Sequence, residues 1–173
     1  SSHHEDGTIE TLTRKELKER VTALAGWMQS QGVVKGDRVA AYIPNIRQAV
    51  ETMLAAASLG AIYSSCSPDF GFNGVFDRFS QIEPKLLVTV DGYFYAGKKI
   101  SRVDVIRQLK EKLPSLVHIL VHDYSGNASD LVSEPKISLY SDALKHSPIE
   151  EYTPVKFNDP LYILYSSGTT GAP

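Results

Sequence analysis

Leu17, Val21, Leu24, Ala25 and Met28 recur at three- and four-residue steps, the spacing that gathers side chains on one face of a helix. Thr13-Arg14-Lys15-Glu16 opens that stretch as a capping box, in which the Thr hydroxyl and the Glu carboxylate reciprocally satisfy free N–H groups of the first turn. Gly32 follows as a left-handed stop, so the pattern predicts one amphipathic helix over 14–31. After the turn residues Lys35-Gly36-Asp37, the apolar run Arg38-Val39-Ala40-Ala41-Tyr42-Ile43 is closed by Pro44-Asn45 and suits a buried strand. A second helix is expected over 48–59. Its small side chains, Ala49, Ala55, Ala56, Ala57 and Ser58, allow close packing on a sheet before Gly60 ends it. The pattern continues with a strand over 61–65, a helix over 73–82 stopped by Pro84, and a strand over 85–90. Ser101 is a candidate cap for a helix over 102–113, with Val103, Ile106, Leu109 and Leu113 on one face, and 116–121 reads as a fourth strand.

Strands separated by helices of roughly ten to eighteen residues imply crossover connections, and so a mostly parallel sheet covered on both faces. The expected fold is therefore α/β, a partial doubly wound sheet. From 123 to 160 the pattern loosens: Pro135, Pro148, Pro154 and Pro160 punctuate polar sequence, with at most one short helix near 142–145. Leu161-Tyr162-Ile163-Leu164-Tyr165 restores a strand, which leads into a loop rich in Gly, Ser and Thr. The chain reads as a single partial domain, with a βα core over 1–122, an irregular connection over 123–160, and a strand with its loop over 161–173. There are no internal repeats.

Composition narrows the function. The 173 residues suit one domain or a piece of a larger one, and 42% hydrophobic residues with 9 Tyr, 6 Phe and 1 Trp argue against disorder. Eighteen Lys plus Arg against 20 Asp plus Glu give a formal net charge of -2, without the basic field that drives nucleic-acid binding. The most apolar stretch, 53–63, is about half the length of a bilayer span and is broken by Ser58 and Gly60. The polar start, Ser1-Ser2-His3-His4-Glu5-Asp6, lacks the pattern of a secretory signal, and the lone Cys66 excludes an internal disulfide or a cysteine-based zinc cluster. Cytoplasm is the expected location.

The chemistry concentrates in Tyr165-Ser166-Ser167-Gly168-Thr169-Thr170-Gly171-Ala172-Pro173. Two glycines let the backbone approach an oxyanion, consecutive N–H groups can form an anion-holding nest, and four hydroxyls add neutral donors. Such a loop suits a nucleotide polyphosphate. It is not a Walker A loop, because Gly168 and Gly171 are not followed by Gly-Lys-Ser/Thr. By composition alone such a stretch is more often an ordinary turn after a strand; the order of its residues is what separates the two readings.

That order, Tyr-Ser-Ser-Gly-Thr-Thr-Gly-x-Pro after a strand, is similar to the signature loop of the adenylate-forming family of acyl-CoA synthetases, luciferases and peptide-synthetase adenylation domains. Lys35-Gly36-Asp37-Arg38-Val39-Ala40, then Pro44-Asn45, then Ala56-Ala57-Ser58-Leu59-Gly60-Ala61, resembles the family's amino-terminal region in order and spacing. Within the family, Ser64-Ser65-Cys66-Ser67-Pro68-Asp69-Phe70-Gly71 and Asp77-Arg78-Phe79-Ser80-Gln81-Ile82-Glu83-Pro84-Lys85 look most like acetoacetyl-CoA synthetases. The resemblance implies a two-step reaction. A carboxylate, here acetoacetate, and ATP give an acyl-adenylate and pyrophosphate; the CoA thiol then displaces AMP. It implies that Ser166, Ser167, Gly168, Thr169, Thr170 and Gly171 hold the β- and γ-phosphates, with Mg accompanying the nucleotide. The family's Lys after the Pro that matches Pro173 lies past the last residue of this sequence. Related acetyl-CoA synthetases carry Arg-x-Gly-Arg contacting CoA phosphates where this chain has Tyr95-Ala96-Gly97-Lys98. Lys98 keeps the second charge and Tyr95 replaces the first Arg, losing bidentate phosphate binding; the alternative is a hairpin tip with solvated lysines, Lys98 and Lys99. Asp69 and Phe70, at a strand end, are candidates to border the same CoA channel.

The remaining reactive side chains read as structural. Cys66 lacks a local base, His118 and His122 share a strand face without an acidic partner at metal-site spacing, Trp27 packs within the first helix, and Lys110-Glu111-Lys112 is a solvated helix surface. No catalytic residue and no metal ligand is identified in the segment. The chain is expected to be the first α/β portion of a longer ligase, inactive alone and prone to self-association through sheet edges and apolar surface. A ligase for another short acid, an adenylation domain, or a non-catalytic binding module stay open on sequence.

Overall fold

The computed structural model describes residues 1–3 and 7–166. A short antiparallel pair, β1 (Ser2–His3) and β2 (Ile9–Glu10), precedes α1 (Arg14–Ser30). The capping box forms as expected: Glu16 N–H donates to Thr13 Oγ1 at 3.2 Å, and Thr13 N–H donates to Glu16 Oε2 at 2.7 Å. Then come β3 (Arg38–Tyr42), α2 (Arg47–Ser58), β4 (Ile62–Cys66), α3 (Phe72–Ile82) and β5 (Leu86–Val90). A hairpin of β6 (Gly92–Tyr95) and β7 (Lys98–Ser101) leads to α4 (Val103–Lys112) and β8 (His118–His122). Last are α5 (Ser129–Val132), β9 (Ile137–Leu139) and α6 (Tyr140–Ala143).

Five strands form one sheet in the order β4-β3-β5-β8-β9, all parallel. Alternate residues of each strand enter opposite cores, as the two-residue period of a strand requires. Val39, Ala41, Leu86, Val88, Val90 and Leu120 pack with α1, α2 and α6. Ala40, Tyr42, Leu87, Ile119 and Val121 pack on the other face with α3, α4 and α5. The doubly wound α/β layer read from the sequence is therefore the observed one. The small side chains Ala55 and Ala56 of α2 are completely buried, which brings that helix close to the sheet. In α1, a side chain on Gly26 would collide with the Ser147 carbonyl, so the glycine is needed for close approach despite its cost to the helix.

Four local expectations change. Ser101 ends β7 and Arg102 occupies the cap position of α4 without a side-chain capping bond; Ser101 Oγ still accepts from Val103 N–H at 3.3 Å. The connection over 123–160 is more regular than its prolines suggest: it holds two short helices, α5 and α6, where at most one was expected, and β9 adds an edge strand through Ile119↔Ile137 and Val121↔Leu139. Three residues are too few for a two-residue period to stand out in sequence. The predicted strand over 161–165 makes a single parallel bridge, Tyr63↔Tyr162. Lys110 is not merely solvated: its Nζ lies 2.9 Å from Glu134 Oε2, beside Arg107, which donates to Glu134 Oε1 at 2.8 Å.

The helical layer of α1, α2 and α6 is joined by a buried charge that periodicity alone does not reveal. Glu51, with no exposed surface, accepts from Arg20 Nε at 2.6 Å and Nη2 at 3.1 Å, and from the Tyr140 hydroxyl at 2.8 Å. Burial drives the Tyr140 phenol well above its ordinary pKa, with the Glu51 charge acting in the same direction. Replacing Glu51 by Ala strands Arg20 and Tyr140 without their acceptor. Equilibrium urea unfolding of Glu51→Ala should show a loss of about 2–4 kcal/mol, and Glu51→Gln, which keeps an acceptor, a smaller one.

Candidate functional site

In an open parallel sheet the ligand crevice lies outside the carboxyl ends of the strands, where successive connections leave in opposite directions. Here the chain runs from β3 outward to β4 and then returns across the sheet to β5, so that reversal falls between β3 and β5. Three of the segments singled out from sequence converge on this end. The loop 67–71 leaves β4, the hairpin leaves β5 through Asp91 and Gly92, and the stem of the Gly/Ser/Thr loop runs along β4 in the same direction. That stem is held by Tyr63 N–H donating to Leu161 O at 3.0 Å and Ile163 N–H donating to Tyr63 O at 2.9 Å. Ser64 Oγ also donates to Ile163 O at 2.9 Å. Counting on from Tyr63↔Tyr162, Ser166 comes level with Ser67, just beyond the end of β4. Ser166 is exposed there; Ser167, Gly168, Thr169, Thr170 and Gly171 lie outside the described residues.

Asp69 and Phe70 sit in a loop held from several sides. The buried Tyr42 hydroxyl donates to Phe70 O at 2.6 Å and lies 3.1 Å from Pro68 O, while Arg102 Nε donates to Pro68 O at 2.7 Å. Within the loop, Ser67 Oγ donates to Asp69 Oδ2 at 3.0 Å. Burial pushes the Tyr42 phenol up to about 12, against the opposing charge of Arg102, so Tyr42 acts as a hydrogen-bond donor at neutral pH. Phe70 remains 41% exposed, with its ring 4.4 Å from the Arg78 guanidinium carbon.

The hairpin carries Tyr95 and Lys98 on either side of a tip at Ala96 and Gly97, both in the left-handed region with φ of 49° and 73°. Tyr95, Lys98 and Lys99 are exposed, and Lys99 Nζ lies 3.4 Å from Asn127 Oδ1. The root of the hairpin is rigid where the tip is not enclosed. Arg102 Nη2 donates to the Tyr93 hydroxyl at 3.1 Å, and a side chain on Gly92 would meet Ser125 and Ile100 O. The fully buried Asp91 carboxylate accepts from Tyr124, Ser125 and Asn127 backbone N–H groups at 2.6 to 2.8 Å and from Ser125 Oγ at 2.7 Å. It locks the turn after β8 beneath the hairpin. Arg102, Tyr93, Asp91 and Arg78 were not singled out for the site from sequence. Their partners are carbonyls, amides, hydroxyls and rings that no short motif encodes.

The family model for AMP-binding enzymes matches residues 3–173.

The chain belongs to the AMP-binding enzyme family.

Its matched relatives include acetoacetyl-CoA synthetases from Macaca fascicularis, 46% identical over 95% of this chain, and Xenopus tropicalis, 44% identical over 95%. The acetoacetyl-coenzyme A synthetase of Rhizobium meliloti (strain 1021) is 40% identical over 98% of it. A solved acetoacetyl-CoA synthetase from Streptomyces lividans superposes with a TM-score of 0.88 at 40% identity, covering 95% of this chain and 25% of that one. The chain spans about a quarter of the length of these relatives, 26% in each of the three sequences.

The chain's other features lie away from these segments. A cavity of about 420 Å³ lies beside β1, β2 and the start of α2 and is lined by none of the candidate site residues. His118 lies 2.9 Å from Ser138 Oγ and stands edge-on to Trp27, while His122 lies 3.1 Å from Gln48 Nε2; burial lowers the pKa of both. Among the described residues, no group of three or more His, Cys, Asp or Glu could hold a metal ion, and no helix is long and apolar enough to cross a membrane. Cys66 is buried in the core under α3, and burial raises its thiol to about 11 against the pull of Arg78. At pH 7.5 it should resist iodoacetamide in the folded protein and label promptly in denaturant, a contrast read by intact-mass spectrometry.

Proposed function

We propose that these residues supply the first α/β layer and the phosphate-loop stem of an AMP-forming acetoacetate–CoA ligase. The observation that carries the reading is the parallel lay of 161–163 along β4, which carries the chain toward Ser166 at the carboxyl end of the sheet, with Arg78 between Tyr165 and Phe70 of the loop 67–71. The acetoacetyl-CoA synthetase relatives support the substrate class.

In this reading the carboxylate oxygen of acetoacetate attacks the α-phosphorus of ATP, pyrophosphate leaves, and the CoA thiol then attacks the acyl carbonyl to release AMP. The backbone N–H groups and hydroxyls of Ser166, Ser167, Gly168, Thr169, Thr170 and Gly171 hold the β- and γ-phosphates, where negative charge grows as pyrophosphate departs. Uncharged donors suit this role, because they stabilise charge without neutralising the polyphosphate beforehand. Magnesium enters with ATP as part of the substrate, and among the described residues no group of three or more His, Cys, Asp or Glu is placed to hold it. Lys98 at the hairpin tip meets a CoA phosphate as a point charge, and Asp69 and Phe70 border the path of the CoA arm, with Tyr95, Ala96 and Gly97 completing the tip. The buried free thiol of Cys66 suits a reducing cytoplasm. The exposed apolar side chains Val155, Phe157, Leu161 and Leu164 are the surface through which the isolated segment would self-associate.

Two measurements test the reading. The full-length protein should convert ATP to AMP only when acetoacetate and CoA are both present for sustained turnover, and residues 1–173 alone should give none. AMP formation favouring acetate or butyrate would move the assignment to another short-acid ligase, and the absence of nucleotide binding to a non-catalytic module. In the full-length protein, Lys98→Ala should raise the KM for CoA about three- to tenfold, the effect of losing one partly exposed phosphate contact, and leave the KM for ATP unchanged.

A further inference from the structure

Arg78 is placed to join the two loops on which the preceding reading depends. It lies on α3, and its guanidinium carbon is 4.4 Å from the centre of the Phe70 ring and 5.7 Å from that of Tyr165. Nη1 donates to Gly74 O, one turn earlier, at 2.6 Å. The Tyr165 hydroxyl closes the arrangement by donating to the Arg78 carbonyl at 2.7 Å. Backbone and side chain of one residue thus both engage Tyr165, the residue before Ser166, while the same side chain covers Phe70. Unlike Arg20, Arg47 and Arg107, Arg78 has no carboxylate within ion-pairing distance among the described residues. Its charge is spent on two ring faces, an interaction that strengthens as water is excluded and that the planar guanidinium suits better than an ammonium.

We propose that Arg78 is a positioning residue, clamping the stem of the phosphate loop to the loop 67–71. The inference rests on the ligase reading for its consequence and on the ring geometry for the clamp itself. A fixed spacing between Tyr165 and Phe70 keeps the start of the anion-binding backbone pointed at one place, and a nest of N–H groups binds well only when its donors are held ready. Without the cation the Tyr165 ring loses one partner, keeping its hydroxyl bond and its packing against the core, and Phe70 loses the partner on one face.

Hydrogen exchange and steady-state kinetics on the full-length protein test this with Arg78→Gln and Arg78→Lys. In Arg78→Gln, peptides covering 67–71 and 161–166 should exchange faster together, by about threefold or more, while β5 stays protected. The KM for ATP should rise about tenfold with the KM for acetoacetate within about twofold, and Arg78→Lys should recover part of that rise because a cation remains near the rings. Faster exchange throughout the protein or in α3 alone, an unchanged ATP KM despite looser loops, or a Lys variant no better than Gln would each overturn the proposal. If the wild-type protein forms no AMP from acetoacetate, the ligase reading fails, and the exchange comparison still decides whether the clamp exists.

Discussion

A parallel strand can be reached from its neighbour only by a crossover, and each crossover lays a helix on one face of the sheet. In this chain the constraint is plain in β3, which pairs with β4 on one side and β5 on the other, register by register from Val39 to Tyr42. With both neighbours parallel and both faces covered, its side chains are buried in each direction: Val39 and Ala41 under α1 and α2, Ala40 and Tyr42 under α3. The same direction shared by all five strands puts every carboxyl end on one edge. The loop 67–71, the hairpin and the stem 161–166 therefore emerge at that one edge, although they lie up to about a hundred residues apart in the chain.

The polar interior follows from that layout. A sheet buried on both sides leaves little water to satisfy the loops at its end, so buried carboxylates and hydroxyls do so instead. Asp91 takes four hydrogen bonds from the turn after β8, and Tyr42 and Arg102 hold the carbonyls of Pro68 and Phe70. Glu51 does comparable work on the opposite side of the core, holding α1 and α6 to α2 through Arg20 and Tyr140. Each network is costly to leave half made, which explains why these side chains are tightly placed even though none of them carries a recognisable motif.

Against this frame the exposed hairpin tip and the exposed stem differ from the rest of the fold. Tyr95, Lys98 and Lys99 project into solvent from a rigid root, and Leu164 is 82% exposed along the stem. A rigid scaffold presenting exposed loops is the usual arrangement for binding, because the scaffold bears the ordering cost and the loops carry the chemistry. The chain belongs to the AMP-binding enzyme family and spans about a quarter of the length of the acetoacetyl-CoA synthetases it matches, and in the proposed ligase it would serve as such a platform.

The helices over 14–31, 48–59 and 73–82, the strands β3, β4, β5 and β8, and the family resemblance could all be read from the chain. Each is encoded by local periodicity, caps or residue order, which are properties of neighbours in sequence. The edge strand β9 could not be read, because three residues carry too little pattern, and the stem over 161–165 looked like a full strand although it makes one bridge. Periodicity reports which face is buried but not how many backbone partners a segment finds. The partners of Glu51, Asp91, Arg102 and Arg78 were likewise decided only by tertiary structure. Most of their bonds go to backbone amides and carbonyls or to ring faces, groups present throughout the chain, and only folding selects which of them come within reach.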